Sequence, residues 1–199
     1  LVALGEVLKR YPGLLIASDD IYEHILLGDI PFSNLLMANP DLYDRTILLN
    51  GVSKGYSMTG WRIGYAGGPE EIITAMKKVQ SQSTSNPTSI AQVAAETALN
   101  GDQSCIAVMN EAFRQRNLFV TERLNAIPGV SALSSQGAFY SFANVEGVVE
   151  RLPEISNDTE LASMLLNQAD VAVVPGVAFG MEGYIRLSFA TSMEALSAR

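Results

Sequence analysis

Cysteine and histidine are nearly absent from this sequence, which contains Cys105 and His24 as the single residues of their types. One cysteine cannot form an internal disulfide, so nothing indicates a secreted, disulfide-stabilised domain, and the cytoplasm is the expected location. One histidine and one distant cysteine also argue against a Ser-His-Asp hydrolase and against a metal centre. We therefore expect no bound metal, and we interpret His24 as a satisfied or exposed side chain rather than a catalyst.

Basic residues and long apolar runs are also scarce. The chain has 13 Lys and Arg against 21 Asp and Glu, a net charge of -8 that repels nucleic acid and anionic membrane surfaces. No apolar run approaches the roughly 20 residues that span a bilayer. At 48% hydrophobic residues, however, the chain can fill a sizeable core. We expect a soluble globular protein with no nucleic-acid partner and no membrane partner.

A single lysine, Lys54, lies in a turn rich in glycine, serine and threonine between two apolar runs. A surface lysine is the ordinary interpretation of such a residue. An amine pressed against apolar surroundings loses affinity for its proton, however, and a neutral amine attacks an aldehyde to form a Schiff base. Ser53 adds a hydroxyl, and Arg62 adds a guanidinium that suits a phosphate dianion. Together they predict a phosphorylated aldehyde, and pyridoxal 5'-phosphate (PLP) is the cofactor with both groups.

A carboxylate partner for the ring nitrogen of PLP is expected upstream of this lysine. Residues 14–18 are typical of a short buried strand, and Asp19, Asp20 and Tyr22 follow it. Ligands of open α/β sheets bind outside the carboxyl ends of the strands, where Asp19 would pair with the ring nitrogen and Tyr22 would donate to the ring oxygen. Asp20 competes for the same role, and Asp19 would also suit an Asx turn or a helix N-cap.

Four motifs follow one another along nearly the whole chain: SDDIY at residues 18–22, SKGYSMTGWRIGY at 53–65, GAFY at 137–140 and YIRLSFA at 184–190. In this order they resemble the fold-type-I PLP enzymes, and within them the class I and II aminotransferases related to aspartate aminotransferase. A lone Ser-Lys or Asp-x-x-Tyr pair would carry little information, whereas an ordered set of four motifs is specific.

The resemblance implies a role for each residue of the lysine and aspartate motifs. Lys54 would hold PLP as the internal aldimine and then carry the proton between the substrate α-carbon and the cofactor. Asp19 would hold the ring nitrogen, because the family's carboxylate stands three residues before its tyrosine, here Tyr22. Ser53 and Arg62 would bind the phosphate.

Arg186 lies in an otherwise apolar segment, where an unpaired guanidinium is costly to bury and therefore needs an anion. The family's anion is the α-carboxylate of the substrate, held bidentately from a small domain that closes over it. We interpret the neighbouring aromatics Phe139 and Tyr140 mainly as core residues.

The activity implied by the resemblance is transfer of an amino group from an L-amino acid, expected to be aspartate, to a 2-oxo acid, expected to be 2-oxoglutarate. The route would be ping-pong, in a homodimer with the active site at the subunit interface. Two alternatives stay open. One is another fold-type-I PLP enzyme, such as a carbon–sulfur lyase, and the other is a PLP-binding effector domain of a transcription regulator.

The predicted fold class is α/β. We expect residues 1–107 to be part of a large PLP-binding domain, with a mostly parallel sheet covered by helices on both faces, and residues 108–199 to form a small carboxyl-terminal α/β domain. We predict a loop at 23–40. The predicted helices occupy residues 1–8, 69–80, 89–99, 104–125 and 161–168, and the predicted strands residues 14–18, 46–50, 62–67, 130–133, 138–143, 171–174 and 184–189.

A helical pattern is already under way at Leu1 and another continues to the last residue. Complete members of the resembled family are roughly twice as long, and the matched motifs belong to their second half. We therefore expect a carboxyl-terminal fragment that is inactive alone, because further cofactor contacts would come from an amino-terminal half.

Overall fold

The computed structural model describes residues 1–198 and divides into two compact units. The first contains Leu1–Leu26 and Ile30–Ala107, and the second contains Leu27–Asp29 and the chain from Val108. Each unit has its own sheet and its own helices. The α/β class predicted from the sequence is confirmed.

A three-stranded sheet in the order β1-β2-β3 forms the centre of the first unit. Its strands are β1 (Ile16–Asp19), β2 (Thr46–Gly51) and β3 (Gly64–Gly67). β1 and β2 are parallel, with Asp19 beside Leu49, whereas β2 and β3 are antiparallel, with Gly51 beside Gly64. The carboxyl ends of β1 and β2 and the amino end of β3 therefore meet at one edge of this sheet, which we call the site edge.

The helices of the first unit begin where the sequence supplies suitable first residues. Pro69 precedes a helix whose first turn contains Glu70 and Glu71, which favour the positive end of the helix dipole. The helices are α1 (Val2–Lys9), α2 (Leu35–Ala38), α3 (Val52–Gly55), α4 (Glu70–Ser83), α5 (Ser89–Asn100) and the beginning of α6 (Ser104–Asn125), with 3₁₀ turns at Pro40–Arg45 and Thr59–Trp61.

Small apolar clusters hold the first unit together. Val52 and Ile63, which flank the lysine loop, pack with Ala91 and Ala95 of α5. A second cluster joins three further apolar residues, Ile16, Leu35 and Leu42. Because the first cluster contains the residue that opens α3, packing against α5 fixes the position of the turn that carries Lys54.

Three predictions for the first unit are wrong in detail. The first strand begins at Ile16 rather than residue 14, and Leu15 is 64% exposed. The strand predicted at 62–67 begins at Gly64 and is mostly exposed, because β3 is an edge strand of this sheet. The loop predicted at 23–40 contains α2, which begins because the Asn34 side chain accepts a hydrogen bond from the Met37 N–H at 2.8 Å.

A four-stranded antiparallel sheet in the order β4-β5-β7-β6 forms the second unit. Its helices are the remainder of α6, then α7 (Glu146–Val149), α8 (Asp158–Ala169) and α9 (Met193–Ser197), with a 3₁₀ turn at Gly176–Phe179. Its strands are β4 (Ser131–Ala132), β5 (Tyr140–Asn144), β6 (Val174–Pro175) and β7 (Tyr184–Ser188).

Side chains alternate between the two faces of this second sheet. Ala143 of β5 and Ile185 of β7 are buried against Leu161 of α8 on one face. The strand predicted at 171–174 is nearly absent, since only Val174 and Pro175 pair with β7. The reason is the end of α8, where the Val171 N–H donates to the helix carbonyl of Leu165 at 3.2 Å instead of joining the sheet.

Candidate active site

Lys54 lies in α3, the single helical turn that follows β2 without a gap. Gly51 makes this junction possible, because a Cβ at that position would lie 2.7 Å from the carbonyl oxygen of Ile63. The lysine is half-buried, and its ammonium lies 5.8 Å from the centroid of the Tyr22 ring. That distance is within the range of a cation–π contact. Two residues that the sequence predicted for one cofactor are therefore close in space.

The two aspartates after β1 have different surroundings. Asp20 is half-buried and uses both carboxylate oxygens, accepting from the Ser18 hydroxyl at 2.8 Å and from the Asn34 amide at 2.7 Å. Asp19 is exposed at the site edge and accepts one hydrogen bond, from the Ile21 N–H at 3.3 Å. The Asx turn considered from the sequence is thus present at Asp19, yet its carboxylate remains the more accessible of the two.

Ser53 and Arg62 lie on opposite arms of the connection between β2 and β3. Gly51 and Gly64 are paired across the two strands. Ser53 lies two residues after Gly51 and Arg62 lies two residues before Gly64, so both lie at the site edge. Arg62 is exposed, and its Nη1 donates to the Thr59 carbonyl at 2.8 Å. The structure thus places Ser53, Lys54 and Arg62 in one loop.

The backbone of this loop has unusual conformations. Arg62 was predicted to start a strand but has φ of 56°, and Ser57 has φ of 54°, both in the left-handed region. A residue other than glycine rarely adopts this region, and such conformations cost about 1–3 kcal/mol each where they persist. They concentrate at functional sites, which supports a functional interpretation of the loop.

Sequence reasoning missed the packing of His24 against the lysine turn. A Cβ added at Gly55 would lie 2.8 Å from Cδ2 of His24, so the imidazole directly contacts the end of α3. The same ring meets Tyr56 edge-to-face, with centroids 5.6 Å apart. The Glu23 carboxylate lies 3.4 Å from the imidazole Nε2 and accepts from the Asn50 amide at 2.7 Å. His24 is thus a packing residue of the candidate site.

Two tyrosines near the lysine loop are held in their protonated forms. Burial, reinforced by the Glu23 carboxylate, raises the pKa of Tyr65 above its ordinary value and does the same for the pKa of Tyr56, to which Cys105 also contributes. Tyr56 donates its hydroxyl to the Gln103 side chain at 2.8 Å. A phenol is protonated at neutral pH even at its ordinary pKa, so both side chains can donate hydrogen bonds there.

Arg186 lies in the second unit, on the face of the sheet opposite the α8 core. Its guanidinium carbon is 4.4 Å from the Tyr140 ring centroid and 4.5 Å from the Phe179 ring centroid. Phe142, directly across from Arg186 in the neighbouring strand, meets Phe179 edge-to-face. Arg186 takes part in none of the salt bridges found among residues 1–198. The guanidinium is half-buried between two rings, and its N–H donors suit an external anion.

This aromatic environment corrects the interpretation of Tyr140 made from the sequence. Tyr140 is half-buried beside Arg186 rather than a plain core residue, whereas Phe139 is buried and stacks on Phe113. Phe179, the last residue of the 3₁₀ turn Gly176–Phe179, contacts the guanidinium. The alternation of side chains along β5 could have indicated that Tyr140 lies on the face opposite the core. The contact of Arg186 with Phe179 depends on tertiary structure, and no local pattern indicates it.

Metal sites and membrane-spanning helices are both missing from the described part of the chain. Among residues 1–198, no group of three or more His, Cys, Asp or Glu side chains is arranged to hold a metal ion. No helix within the same residues combines the length and apolar character needed to cross a membrane.

The comparison with protein families gives a direct assignment. A family model described as aminotransferase class I and II matches residues 1–198. The chain belongs to this family. It is similar to the aspartate/prephenate aminotransferase of Nitrosomonas europaea, with 61% identity over 98% of this chain and 51% of that protein. It is also 47% identical to an aspartate aminotransferase of Rhizobium meliloti, over 95% of this chain and 47% of the relative.

Solved aminotransferase structures share the fold. The crystal structure of the aspartate aminotransferase from Rhizobium meliloti superposes with a TM-score of 0.92 and 45% identity, covering 99% of this chain and 51% of that one. The chain therefore spans about half the length of the aminotransferases that it matches.

Proposed function

We propose that this chain is the carboxyl-terminal half of a PLP-dependent aminotransferase. The observation that carries the proposal is the arrangement of Lys54, Tyr22 and Asp19, which the parallel pairing of β1 with β2 brings to the site edge. The family assignment and the 61% identity to a protein named as an aminotransferase support the same activity. The term full-length enzyme denotes this chain together with the amino-terminal half found in its relatives.

The residues at the site edge fit PLP on chemical grounds. Lys54 offers the amine that binds the aldehyde, and the accessible Asp19 carboxylate offers a partner for the ring nitrogen. Arg62 and Ser53 offer a guanidinium and a hydroxyl for the phosphate. Once bound, PLP supplies an electron sink for charge that develops at the substrate α-carbon.

The roles of this chain's own residues in turnover follow from that assignment. The amine of Lys54, once released by the substrate, would take the proton from the substrate α-carbon and would pass it to the bound cofactor. Tyr22 would donate its hydroxyl to the ring oxygen of the cofactor. We assign residues 1–107 to the PLP-binding domain and residues 108–199 to the small domain.

Arg186 is proposed to bind the α-carboxylate of the substrate. Both ring centroids lie within 4.5 Å of the guanidinium carbon, so the rings restrict the side chain, and Arg186 takes part in no salt bridge among residues 1–198. The fork of donors matches both oxygens of a carboxylate. An Arg186→Lys enzyme should lose about 2–3 kcal/mol in kcat/KM, because the ammonium cannot reproduce the bidentate contact. An unchanged KM and kcat would refute the assignment.

L-Aspartate is the proposed donor and 2-oxoglutarate the proposed acceptor. Because one relative is named an aspartate/prephenate aminotransferase, prephenate is a second candidate acceptor. All three compounds have a carboxylate attached to the reacting carbon, which is the amine-bearing carbon of the amino acid or the ketone carbon of the 2-oxo acid. The proposed role of Arg186 requires this carboxylate.

We further propose a cytoplasmic homodimer. The first unit carries apolar surface that suits association with another chain, since α4 has no buried residue and Val79, Ile90 and Val93 of α4 and α5 are exposed. Burial of such surface is favourable, and exposed apolar patches mark contact with further protein.

The test is an assay of the full-length enzyme with L-aspartate and either 2-oxoglutarate or prephenate, beside a Lys54→Ala variant. We expect oxaloacetate together with a new amino acid, and no turnover by the variant. Release of ammonia, pyruvate and a thiol from a sulfur-containing amino acid such as L-cystathionine, tested in place of L-aspartate, would favour the lyase. PLP binding without any turnover would favour the regulator domain. Full turnover by Lys54→Ala would overturn the role of the lysine.

A further inference from the structure

Asp158 is a buried carboxylate that the proposed function does not use. It is the first residue of α8 and is only 2% exposed. Its Oδ2 accepts a hydrogen bond from the Val177 N–H at 2.9 Å. Burial of a charged group is costly unless it is well bonded, and the positive end of the α8 dipole offsets part of that cost. A carboxylate kept in this position therefore calls for an explanation.

The turn held by Asp158 is the 3₁₀ turn Gly176–Phe179, which ends at the ring that contacts Arg186. The beginning of this turn is tightly packed, because a Cβ at Gly176 would lie 2.2 Å from the carbonyl oxygen of Met181. Its end depends on the bond from Val177 to Asp158 and on the edge-to-face contact between Phe142 and Phe179.

We propose that Asp158 is a positioning residue for the carboxylate site. Its hydrogen bond fixes the turn, the turn places Phe179, and Phe179 with Tyr140 fixes the plane of the Arg186 guanidinium. A guanidinium held in one plane presents both N–H donors to a carboxylate, whereas a mobile one loses side-chain entropy on binding. The inference rests on the proposed function of Arg186 and adds a residue that does not touch the substrate.

The test compares substitutions at Asp158 with a neighbour on the same helix end. Asp158→Ala in the full-length enzyme removes the acceptor, and we expect the KM for L-aspartate and for 2-oxoglutarate to rise about five-fold, the effect of one lost hydrogen bond. Both substrates change because both present a carboxylate to the same arginine. The kcat and the Kd for PLP should stay within about two-fold, because α8 does not belong to the unit that contains Lys54. Asp158→Asn keeps an oxygen that accepts a weaker bond, so its KM should rise about two-fold.

Asn157→Ala is the matched control. The Asn157 side chain caps α8 by accepting from the Glu160 N–H at 2.9 Å, so its loss weakens the same helix end without removing the bond to Val177. We expect a lower Tm for Asn157→Ala but an unchanged KM. A merely structural role of Asp158 predicts that the control and Asp158→Ala change KM equally, and that result would overturn the inference.

The other combinations of results separate the positioning role of Asp158 from the proposed function of Arg186. If Arg186→Lys raises KM but neither Asp158 variant does, the positioning role is wrong and the function of Arg186 stands. If Arg186→Lys leaves both KM and kcat unchanged, the carboxylate assignment itself is wrong. Should Asp158→Ala not fold, Asp158→Asn alone decides, and a wild-type KM for both substrates in that variant would overturn the inference.

Discussion

The ammonium group of Lys54 lies 5.8 Å from the centre of the Tyr22 ring, although the two residues belong to different motifs of the sequence. Both follow strands that run in parallel, Lys54 after β2 and Tyr22 after β1. Parallel neighbours end at the same edge of a sheet, so the backbone alone brings the two side chains near each other. The candidate site is therefore a consequence of strand direction.

The first prediction separates the two aspartates. Asp19→Ala should abolish most activity of the full-length enzyme but change its free energy of unfolding by less than about 0.5 kcal/mol, because Asp19 is exposed. Asp20→Ala should cost about 1–3 kcal/mol, since it leaves the Ser18 hydroxyl and the Asn34 amide without their acceptor. Urea unfolding and steady-state assays measure both effects. The assignment is wrong if Asp19→Ala retains full activity.

The second prediction concerns the left-handed conformation of Arg62. Arg62→Gly relieves the strain at φ of 56° and should not lower the free energy of unfolding, yet it should weaken PLP binding about ten-fold or more by removing a charged phosphate contact. Arg62→Lys is the control, because it keeps both the strain and one positive charge. Equal Kd values for PLP in the wild type and Arg62→Gly would contradict the phosphate role.

The third prediction tests the contact between His24 and the lysine turn. Gly55→Ala should lower the free energy of unfolding by about 1–3 kcal/mol, because the added Cβ overlaps the imidazole and outweighs the small gain in helix propensity. Gly55→Ala combined with His24→Ala should be destabilised by less than the sum of the two single variants. Simple additivity would show that the two residues do not interact.

The fourth prediction follows from the pKa of Glu160. The Ser156 hydroxyl and then the Ser156 N–H donate to its carboxylate, at 2.8 and 2.7 Å, and hold the pKa below the ordinary value of 4.5. A carboxyl group whose pKa is lower in the folded state stabilises the fold at pH values above its ordinary pKa. This contribution is lost as the pH decreases through the folded-state pKa. Glu160→Gln should therefore lower Tm at neutral pH, with a difference that narrows below pH 4.5. Glu154→Gln serves as the control, because Glu154 is an exposed carboxyl of the same segment. A Tm difference between Glu160→Gln and the wild type that does not change with pH would refute the linkage.

Much of the fold was predictable from local signals in the sequence. The helices α4 and α5 have a helical period of apolar residues, and Pro69 with Glu70 marks the beginning of α4. The glycines at the two ends of the lysine loop also indicated where β2 ends. These features depend on neighbours in sequence, so sequence alone is sufficient to find them.

The features that escaped prediction depend on residues far apart in the chain. The aromatic pair around Arg186 requires β5 and the 3₁₀ turn at Gly176–Phe179 to meet, and no local pattern describes that meeting. The short helix α2 was missed because four residues show no period, although its cap Asn34 was a visible signal. Arg62 was assigned to a strand because its apolar neighbours are typical of one, and only the fold reveals its left-handed backbone.

The most direct measurement of the central claim is the visible absorbance of the full-length enzyme with PLP, recorded before and after L-aspartate, beside Lys54→Ala. We expect a visible band in the wild type that L-aspartate removes and 2-oxoglutarate restores, and no such band in the variant. A Lys54→Ala protein that shows the same band and the same response to L-aspartate would contradict the account.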